Sequence, residues 1–219
     1  MKKQNTALVL IDLQKESNFG LEQMEQVITN SKKLINGFRE QNIPIIYTRQ
    51  INRTDRVGLS VGEPLNDDGT PYFYNAGNES IEIFDEIKPQ DDDIVIDKFR
   101  WSAFHATSLD LTLRSMNITD VVIGGVVTDG CLLTSVFDAY FRDYNIHLVK
   151  DICSASNEGS HMAALMMMAN WVYNLKVYDT TNILNRISGE NYNVWESDQV
   201  DSFQYTPETM REVYNKLKL

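Results

Sequence analysis

The sequence predicts an α/β protein: a three-layer, Rossmann-like domain in which helices cover both faces of a mostly parallel sheet of about six strands. Short apolar runs, typical of strands buried on both faces, alternate along the chain with segments of helical period. Such alternation is typical of βαβ units, whose right-handed crossovers place helices on both faces. The 219 residues fit one domain, and 42% hydrophobic and 23% charged residues are ordinary for a globular protein.

The predicted elements follow one another in chain order. The strands are apolar runs at residues 7–13, 43–47, 93–97, 121–123, 146–150 and 175–178. Helices are predicted at residues 21–41, 108–116, 132–142 and 160–170. The pattern weakens after residue 182, so we expect a domain over residues 1–185 and a C-terminal extension over residues 186–219. The extension is expected to be partly helical, with a last helix at 207–216, and to pack on the domain or at an oligomer interface.

Residues 48–78, between the second and third predicted strands, form a long loop. This segment is rich in Gly, Asn and Asp and has no clear period. A loop of this length inside a compact domain is more often functional than idle.

Charge and composition exclude several classes of function. The formal net charge of −11 argues against nucleic acid or anionic membranes as partners, because both need a basic surface. No apolar run approaches the roughly 18 residues of a membrane span, and the run at 7–11 ends too soon at Asp12 for a signal peptide. Two cysteines are too few for a disulfide framework. We therefore expect a cytoplasmic protein that acts on a small molecule.

The most informative motif joins the fourth predicted strand to the next helix. Residues 124–131, GGVVTDGC, break a buried strand at glycines and are expected to place Cys131 on the first helical turn. Unpaired N–H groups and the positive end of the helix dipole favour the nucleophilic thiolate there, and the same N–H groups can hold an oxyanion. The alternative is a buried structural cysteine, since free cysteine is among the most buried residue types.

Reactive side chains follow two more predicted strands. Asp12 ends the first strand, and Lys98 follows the third. Ligands of open parallel sheets bind outside the carboxyl ends of the strands, so these groups and Cys131 face one crevice if their strands are neighbours. A carboxylate can take the proton of a thiol, and an ammonium stabilises the charges. Taken singly, the Asp is ordinarily a turn or cap residue and the Lys a solvated charge.

The three histidines do not end the central strands. His147 lies within a predicted strand and is interpreted as structural. His161 is interpreted as a residue of a helix face, and His105 as a residue at the pocket entrance. A histidine base is not required when a carboxylate is available.

The chain resembles the isochorismatase-like cysteine hydrolases, a superfamily that includes nicotinamidases, N-carbamoylsarcosine amidohydrolase, ureidoacrylate and biuret hydrolases, and isochorismatase. The resemblance runs from about residue 5 to about residue 184 and does not cover the extension. Its order and spacing are specific, although each piece is weak alone. The matching pieces are ALVLIDLQ at 7–14 with Phe19, Lys98 with SAF at 102–104 and TSL at 107–109, GVVTDGC at 125–131, and also Asp151 and His161.

This resemblance implies a Cys–Asp–Lys catalytic triad. Cys131 is then the nucleophile, Asp12 the general base and afterwards the acid, and Lys98 the electrostatic partner. Family members make an oxyanion hole from backbone N–H groups at the positions of Val127 and Cys131, with a cis peptide bond before the first of them, here Val126–Val127. They commonly form dimers or tetramers, so a homo-oligomer is expected.

Departures from the family pattern narrow the expected chemistry. Nicotinamidases bind a metal through an Asp and several histidines after the second strand, but residues 48–80 here contain no histidine, so we expect no metal and no cofactor. Isochorismatases proper cleave a vinyl ether without a thiol. Cys131 therefore favours hydrolysis of a C–N bond in a small amide, ureido or carbamoyl compound through a thioacyl-enzyme. A vinyl-ether hydrolase and a non-catalytic binding domain that kept the fold are the alternatives.

Five residues near the triad in sequence are candidate substrate contacts. The aromatic residues Phe19, Trp101 and Phe104 are candidates for apolar walls, although large aromatic side chains are most often core. Arg49 and Arg100 are candidates for pairing with a substrate carboxylate, and the alternative for each is a surface salt bridge.

Overall fold

The centre of the molecule is a β-sheet of seven strands. The structure is a computed structural model, and it describes residues 1–17, 19–197, 199, 201 and 204–217. All six predicted strands are confirmed, with small shifts at their ends. The strands are β1 (Thr6–Ile11), β2 (Ile45–Gln50), β3 (Ile94–Lys98), β4 (Asp120–Gly125), β5 (Asn145–Val149), β6 (Lys176–Tyr178) and β7 (Trp195–Glu196). The helices are α1 (Met24–Glu40), α2 (Leu109–Ser115), α3 (Leu133–Tyr140), α4 (Glu158–Trp171), α5 (Thr180–Ser188) and α6 (Met210–Tyr214).

The strand order is β3-β2-β1-β4-β5-β6-β7, and each neighbouring pair is parallel except β6 with β7. The predicted α/β fold is confirmed, but the sheet has one strand more than the expected six. The additional strand, β7, has two residues and lies in the C-terminal extension, and so short a segment shows no periodicity. From β1 the chain adds β2 and β3 on one side, and then β4 to β7 on the other side. The position between β1 and β4 is therefore a topological switch point, where ligands of open parallel sheets bind.

The core lies on both faces of the two central strands. Every residue of β1 and β4 is buried, as expected for parallel strands covered on both sides. On one side α1 packs with α5, and α3, α4 and α6 form a second packed group. The arrangement accounts for the continuous apolar runs that identified these strands in the sequence.

Helix α5 was not predicted from the sequence. It begins after Asp179, whose side chain accepts a hydrogen bond from the N–H of Asn182, an N-cap interaction. Helix α5 packs closely on α1, because Gly37 of α1 has no side chain and leaves room for the side chain of Leu184. The expected domain boundary at residue 185 falls inside this helix.

The described residues 210–217, near the end of the chain, pack on the rest of the molecule. The expected helix at 207–216 corresponds to α6 and a following 3₁₀ turn, Asn215–Leu217. Val213 and Leu217 are 5% and 1% exposed, so they belong to the core. Within the described residues, no helix has the length and apolar character needed to cross a membrane.

Candidate active site

The three side chains of the expected triad meet at the carboxyl edge of the sheet. Asp12 directly follows β1, Lys98 is the last residue of β3, and Cys131 lies in the turn after β4. The strands β1 and β4 are neighbours, but β2 separates β1 from β3. The long side chain of Lys98 therefore crosses the end of β2 to reach Asp12.

Asp12 and Lys98 form a buried ion pair. The Nζ atom of Lys98 lies 2.6 Å from Oδ2 of Asp12, and both side chains are 0% exposed. Nζ also donates to Oε1 of Gln50 at 2.9 Å and to the carbonyl of Arg100 at 3.1 Å. The other carboxylate oxygen accepts a hydrogen bond from the hydroxyl of Thr48 at 2.7 Å. Because these hydrogen bonds accompany the ion pair, the cost of burying both charges is offset.

Thr48 and Gln50 contact the expected triad directly, and the sequence analysis missed both. Both lie at the carboxyl end of β2, the strand between Asp12 and Lys98. Gln50 is held in turn by Gln14, whose side chain donates to the carbonyl of Gln50 at 3.0 Å and accepts from its N–H at 2.8 Å. The sequence contained the same signal for these two residues as for Asp12, namely a polar residue at the end of an apolar strand.

Cys131 lies in a single π-helical turn, Thr128–Leu132, between β4 and α3. The residue is 6% exposed, and its thiol interacts with both Asp12 and Lys98. Burial raises the pKa of the Cys131 thiol to about 12, while Lys98 lowers this pKa and Asp12 raises it. Burial therefore opposes the thiolate that the helix start is expected to favour, and that expectation stays a prediction. A neighbouring base can offset this effect of burial by taking the proton as the sulfur attacks.

Hydrogen bonds from a neighbouring hydroxyl hold the turn that carries Cys131. The hydroxyl of Ser135 donates to the carbonyl of Cys131 at 2.6 Å and accepts from the N–H of Ala103 at 2.9 Å. The peptide bond between Val126 and Val127, just before the turn, is cis. The position of the thiol is thus set jointly by α3 and by the segment that follows β3.

Lys98 keeps its positive charge although it is buried. Burial alone would lower the pKa of Lys98, but Asp12 and Cys131 act against it and the resulting pKa is raised. The site therefore contains a thiol, a carboxyl group and an ammonium shielded from water. A carboxylate can accept the proton of the thiol, and the ammonium can stabilise the resulting sulfur anion. These groups are suited to nucleophilic attack on a carbonyl.

The long loop after β2 brings an aromatic cluster to the site. Phe73 stacks on Phe19 with ring centroids 4.2 Å apart, and Tyr74 lies 5.6 Å from Phe19. Burial raises the pKa of Tyr74 well above its usual value, and the nearby carboxylate and thiol of the triad raise it further. The backbone N–H of Tyr74 donates to Glu16 at 2.8 Å. The predicted Phe19 therefore adjoins the triad through Tyr74, which the sequence analysis missed.

Two of the predicted substrate contacts have protein partners instead. Nε of Arg49 lies 2.8 Å from Asp97, and a second nitrogen lies 3.4 Å from Glu82, so Arg49 forms the salt bridges considered as its alternative. Phe104 is 4% exposed and packs on Tyr144 with ring centroids 5.8 Å apart. Phe104 is thus part of the core, the common position of a large aromatic residue.

A cavity of about 650 Å³ opens beside the segment that follows Lys98. Arg100, Trp101 and His105 line it together with side chains of α3, and the triad is not among its lining residues. Trp101 is 65% exposed, and Arg100 donates to the carbonyl of Gly58 in the long loop at 2.8 Å. These residues therefore line a cavity beside the segment that holds Lys98, and none of the three triad side chains lines it.

His147 and Asp151 make structural contacts. Inside β5, Nε2 of His147 lies 2.8 Å from Oδ1 of Asp120, in agreement with its interpretation as structural. Asp151 accepts hydrogen bonds from the N–H and the hydroxyl of Thr180, the first residue of α5, both at 2.9 Å. Asp151 therefore supports the start of a helix.

Two acidic residues of the long loop bind residues that are close to them in the sequence. Asp55 pairs with Arg53, and Asp68 accepts from the N–H and the hydroxyl of Thr70 at 2.9 and 2.7 Å. In the part of the chain that the structure describes, no group of three or more His, Cys, Asp or Glu residues is arranged to hold a metal ion. Metal-independent catalysis stays a prediction.

A comparison with models of known families finds a match that covers most of the chain. A model of the Isochorismatase domain matches residues 6–180, from the start of β1 to the first residue of α5. The chain belongs to the isochorismatase family. It is therefore an isochorismatase-family hydrolase, and the family match ends before the C-terminal extension.

Relatives of this isochorismatase-family protein carry different names. It is 33% identical over 165 residues to the isochorismatase family protein YwoC of Bacillus subtilis (strain 168). This alignment covers 74% of this chain and 84% of YwoC. It is 25% identical over 217 residues to the ureidoacrylate amidohydrolase RutB of Acinetobacter baylyi, with 83% of each covered. It is 31% identical over 147 residues to enterobactin synthase component B of Escherichia coli (strain K12), covering 67% of this chain but only 50% of that protein.

Solved structures share the fold. A cysteine hydrolase from Pseudomonas syringae pv. phaseolicola 1448A superposes with a TM-score of 0.77 at 22% identity, covering 86% of this chain and 95% of the other. The N-carbamoylsarcosine amidase from Thermoplasma acidophilum superposes with a TM-score of 0.65 at 26% identity, covering 80% and 96%.

Proposed function

We propose that this isochorismatase-family hydrolase cleaves the C–N bond of a small amide, ureido or carbamoyl compound through a thioacyl-enzyme. The observation that carries the proposal is the burial of the Cys131 thiol against the Asp12–Lys98 ion pair. Two relatives, a ureidoacrylate amidohydrolase and an N-carbamoylsarcosine amidase, are named for hydrolysis of amide-type bonds and support this substrate class.

Asp12 acts first as the general base. Because the pKa of Cys131 is raised to about 12, the thiol does not ionise by itself near neutral pH. Asp12 takes its proton while the sulfur attacks the substrate carbonyl carbon, so that a C–S bond forms and the carbonyl electrons move to oxygen. Lys98 stabilises the negative charge during this transfer.

Asp12 then acts as the general acid. It gives the proton to the leaving nitrogen as the C–N bond breaks, which releases ammonia or an amine and leaves a thioester on Cys131. A water molecule next attacks the thioester while Asp12 takes one of its protons. When the C–S bond breaks, that proton returns to the sulfur, and the acid product leaves a regenerated enzyme.

The N–H groups of Val127 and Cys131 are the proposed oxyanion donors. Both belong to the segment that carries the nucleophile, at the switch point between β1 and β4. Negative charge develops on the carbonyl oxygen in both halves of the reaction. A fixed donor at that position is worth about 10²–10³-fold in kcat.

A panel of small amide, ureido and carbamoyl compounds, assayed for release of ammonia or amine, tests the proposal. Cys131→Ala should abolish turnover of whichever compound is hydrolysed. Cys153→Ser is the matched control, because Cys153 is equally buried but donates to the carbonyl of Val149 at 3.1 Å. Mass spectrometry of the intact protein during turnover should show an acyl group on Cys131. Full activity in Cys131→Ala would overturn the thioacyl mechanism.

The name of the matching family model favours vinyl-ether hydrolysis of the isochorismatase type as a second candidate. In that reaction Asp12 protonates the substrate and the thiol takes no part. Cys131→Ala separates the two candidates, because it should spare cleavage of isochorismate and abolish amide hydrolysis.

A further inference from the structure

The C-terminal extension reaches the back of the catalytic turn, which we define as residues 128–132, through one histidine. His161 of α4 lies between Thr128, the first residue of this turn, and Tyr214 of α6. The Nδ1 atom of His161 is 3.0 Å from the hydroxyl of Thr128. The ring of His161 meets Tyr214 edge to face, with centroids 6.2 Å apart. Thr128 is 0% exposed, so within this buried setting the imidazole is the partner of its hydroxyl.

Further contacts fix α6 against the domain. Arg211 uses two nitrogens to pair with both carboxylate oxygens of Glu158, the first residue of α4. The Nζ atom of Lys150, just after β5, donates to the carbonyl of Leu217 at 2.7 Å. Val213 is 5% exposed. The extension is therefore anchored on α4 and on the residue that follows β5.

Two residues of the domain hold different parts of Thr128, and the extension packs against one of them. Its backbone N–H donates to the carbonyl of Ser154 at 2.8 Å, a contact made within the domain. Its side chain is held by His161, against which the extension packs. Cys131 is only three residues further along the same turn, so a rotation of Thr128 displaces the thiol relative to Asp12.

We propose that the extension clamps the catalytic turn and that His161 is the positioning residue through which the clamp acts. The proposal rests on the proposed function, because it assigns the turn to the nucleophile. Tyr214 restricts the imidazole, and the imidazole restricts the hydroxyl of Thr128. His161 itself does not touch the reacting atoms. When the clamp is lost, the turn gains freedom, and a misplacement of about 1 Å costs about 10²-fold in rate.

Alkylation of Cys131 by iodoacetamide at one fixed pH tests the clamp without any turnover. A Cys153→Ser background leaves Cys131 as the only thiol. His161→Leu and Tyr214→Ala should be labelled several-fold faster than this background, because a looser turn exposes and hydrates the thiol. His161→Asn, which keeps a polar group near the position of Nδ1, and Tyr214→Phe, which keeps the ring, should restore most of the protection. Glu212→Gln changes an exposed residue of the same helix and is the matched control.

Turnover is the second readout. With the compound that the wild type hydrolyses fastest, His161→Leu and Tyr214→Ala should lower kcat by about 10- to 100-fold and change KM by less than about twofold. The double variant should lose little more than either single variant, because both changes remove one coupling.

Unchanged labelling and kcat in these variants, at a temperature where circular dichroism shows them folded, would overturn the clamp. If His161→Leu does not fold, Tyr214→Ala decides alone. Full activity in Cys131→Ala would overturn the proposed function instead, and labelling would still decide the clamp.

Discussion

Asp12 is the residue on which the contacts of the site converge. Its carboxylate meets the ammonium of Lys98 and the hydroxyl of Thr48, and it interacts with the thiol of Cys131. Its φ of 50° lies in the left-handed region, where aspartate is enriched but still uncommon. Such conformations persist where the surroundings over-determine them, and they cluster at functional sites. The backbone after β1 is thus shaped around this carboxylate.

Asp12→Asn keeps the shape of this side chain and removes the base. Because an amide cannot take the thiol proton, kcat for ammonia release should fall about 10²–10⁴-fold. Asp97→Asn makes the same chemical change one residue before Lys98, at an exposed carboxylate paired with Arg49, and should have little effect. Near-normal turnover of Asp12→Asn would place this carboxylate outside the chemistry.

Lys98→Met should slow alkylation of Cys131. Lys98 lowers the pKa of this thiol, so removal of its charge should raise that pKa further. The thiolate fraction at a fixed pH then falls about tenfold for each unit of pKa. Iodoacetamide labelling at pH 8 in the Cys153→Ser background measures this change, with Lys15→Met, which breaks the exposed pair with Asp85, as the control. Equal labelling rates would show that the ammonium does not act on the thiol.

At the scale of elements, the close pairing of β1 with β4 positions the nucleophile beside its base. Ile11, the last residue of β1, lies opposite Gly125, the last residue of β4. Asp12 and the segment leading to Cys131 therefore leave the sheet side by side. The adjacent β2 adds Gln50, so neighbouring strand ends build the site together.

Gly125→Ala should separate these two strands. Gly125 has a φ of +129°, and a Cβ there would lie 2.1 Å from the carbonyl oxygen of Ile11, a backbone atom that cannot rotate away. We expect a loss of about 3 kcal/mol or more in the free energy of unfolding in urea. Gly69→Ala, with a φ of +81° and no atom within 4 Å, should cost only about 1–2 kcal/mol. Equal losses would contradict this close approach.

At the scale of the whole molecule, the site is enclosed by segments far apart in the chain. The long loop contributes Tyr74, and the C-terminal extension supports the catalytic turn through Tyr214 and His161. Enclosure excludes water, which strengthens the interactions among the charges of the triad. It also raises the pKa of the thiol, which favours removal of its proton by a general base.

Turnover should survive exhaustive chelation. The proposed charge stabilisation comes from Lys98 and backbone N–H groups, which a chelator does not remove. Ammonia release is measured before and after dialysis against EDTA, and again after addition of zinc, iron or manganese. A loss of activity that one of these metals restores would contradict the prediction.

The sequence by itself determined the fold class, the six parallel strands and the residues Asp12, Lys98 and Cys131, which the structure brings together. Strand runs and polar residues at strand ends are properties of short segments, so they are readable without the fold. The sequence did not predict the short strand β7 or helix α5. Two residues show no periodicity, and α5 lies where the hydrophobic periodicity weakens.

Tertiary structure alone decided what surrounds those residues. The strand order places Gln50 between Lys98 and Asp12, and loop packing places Tyr74 beside the triad. The same packing pairs Arg49 with carboxylates and raises the pKa of the Cys131 thiol. These outcomes depend on desolvation and on contacts between residues distant along the chain, which summed local preferences do not contain.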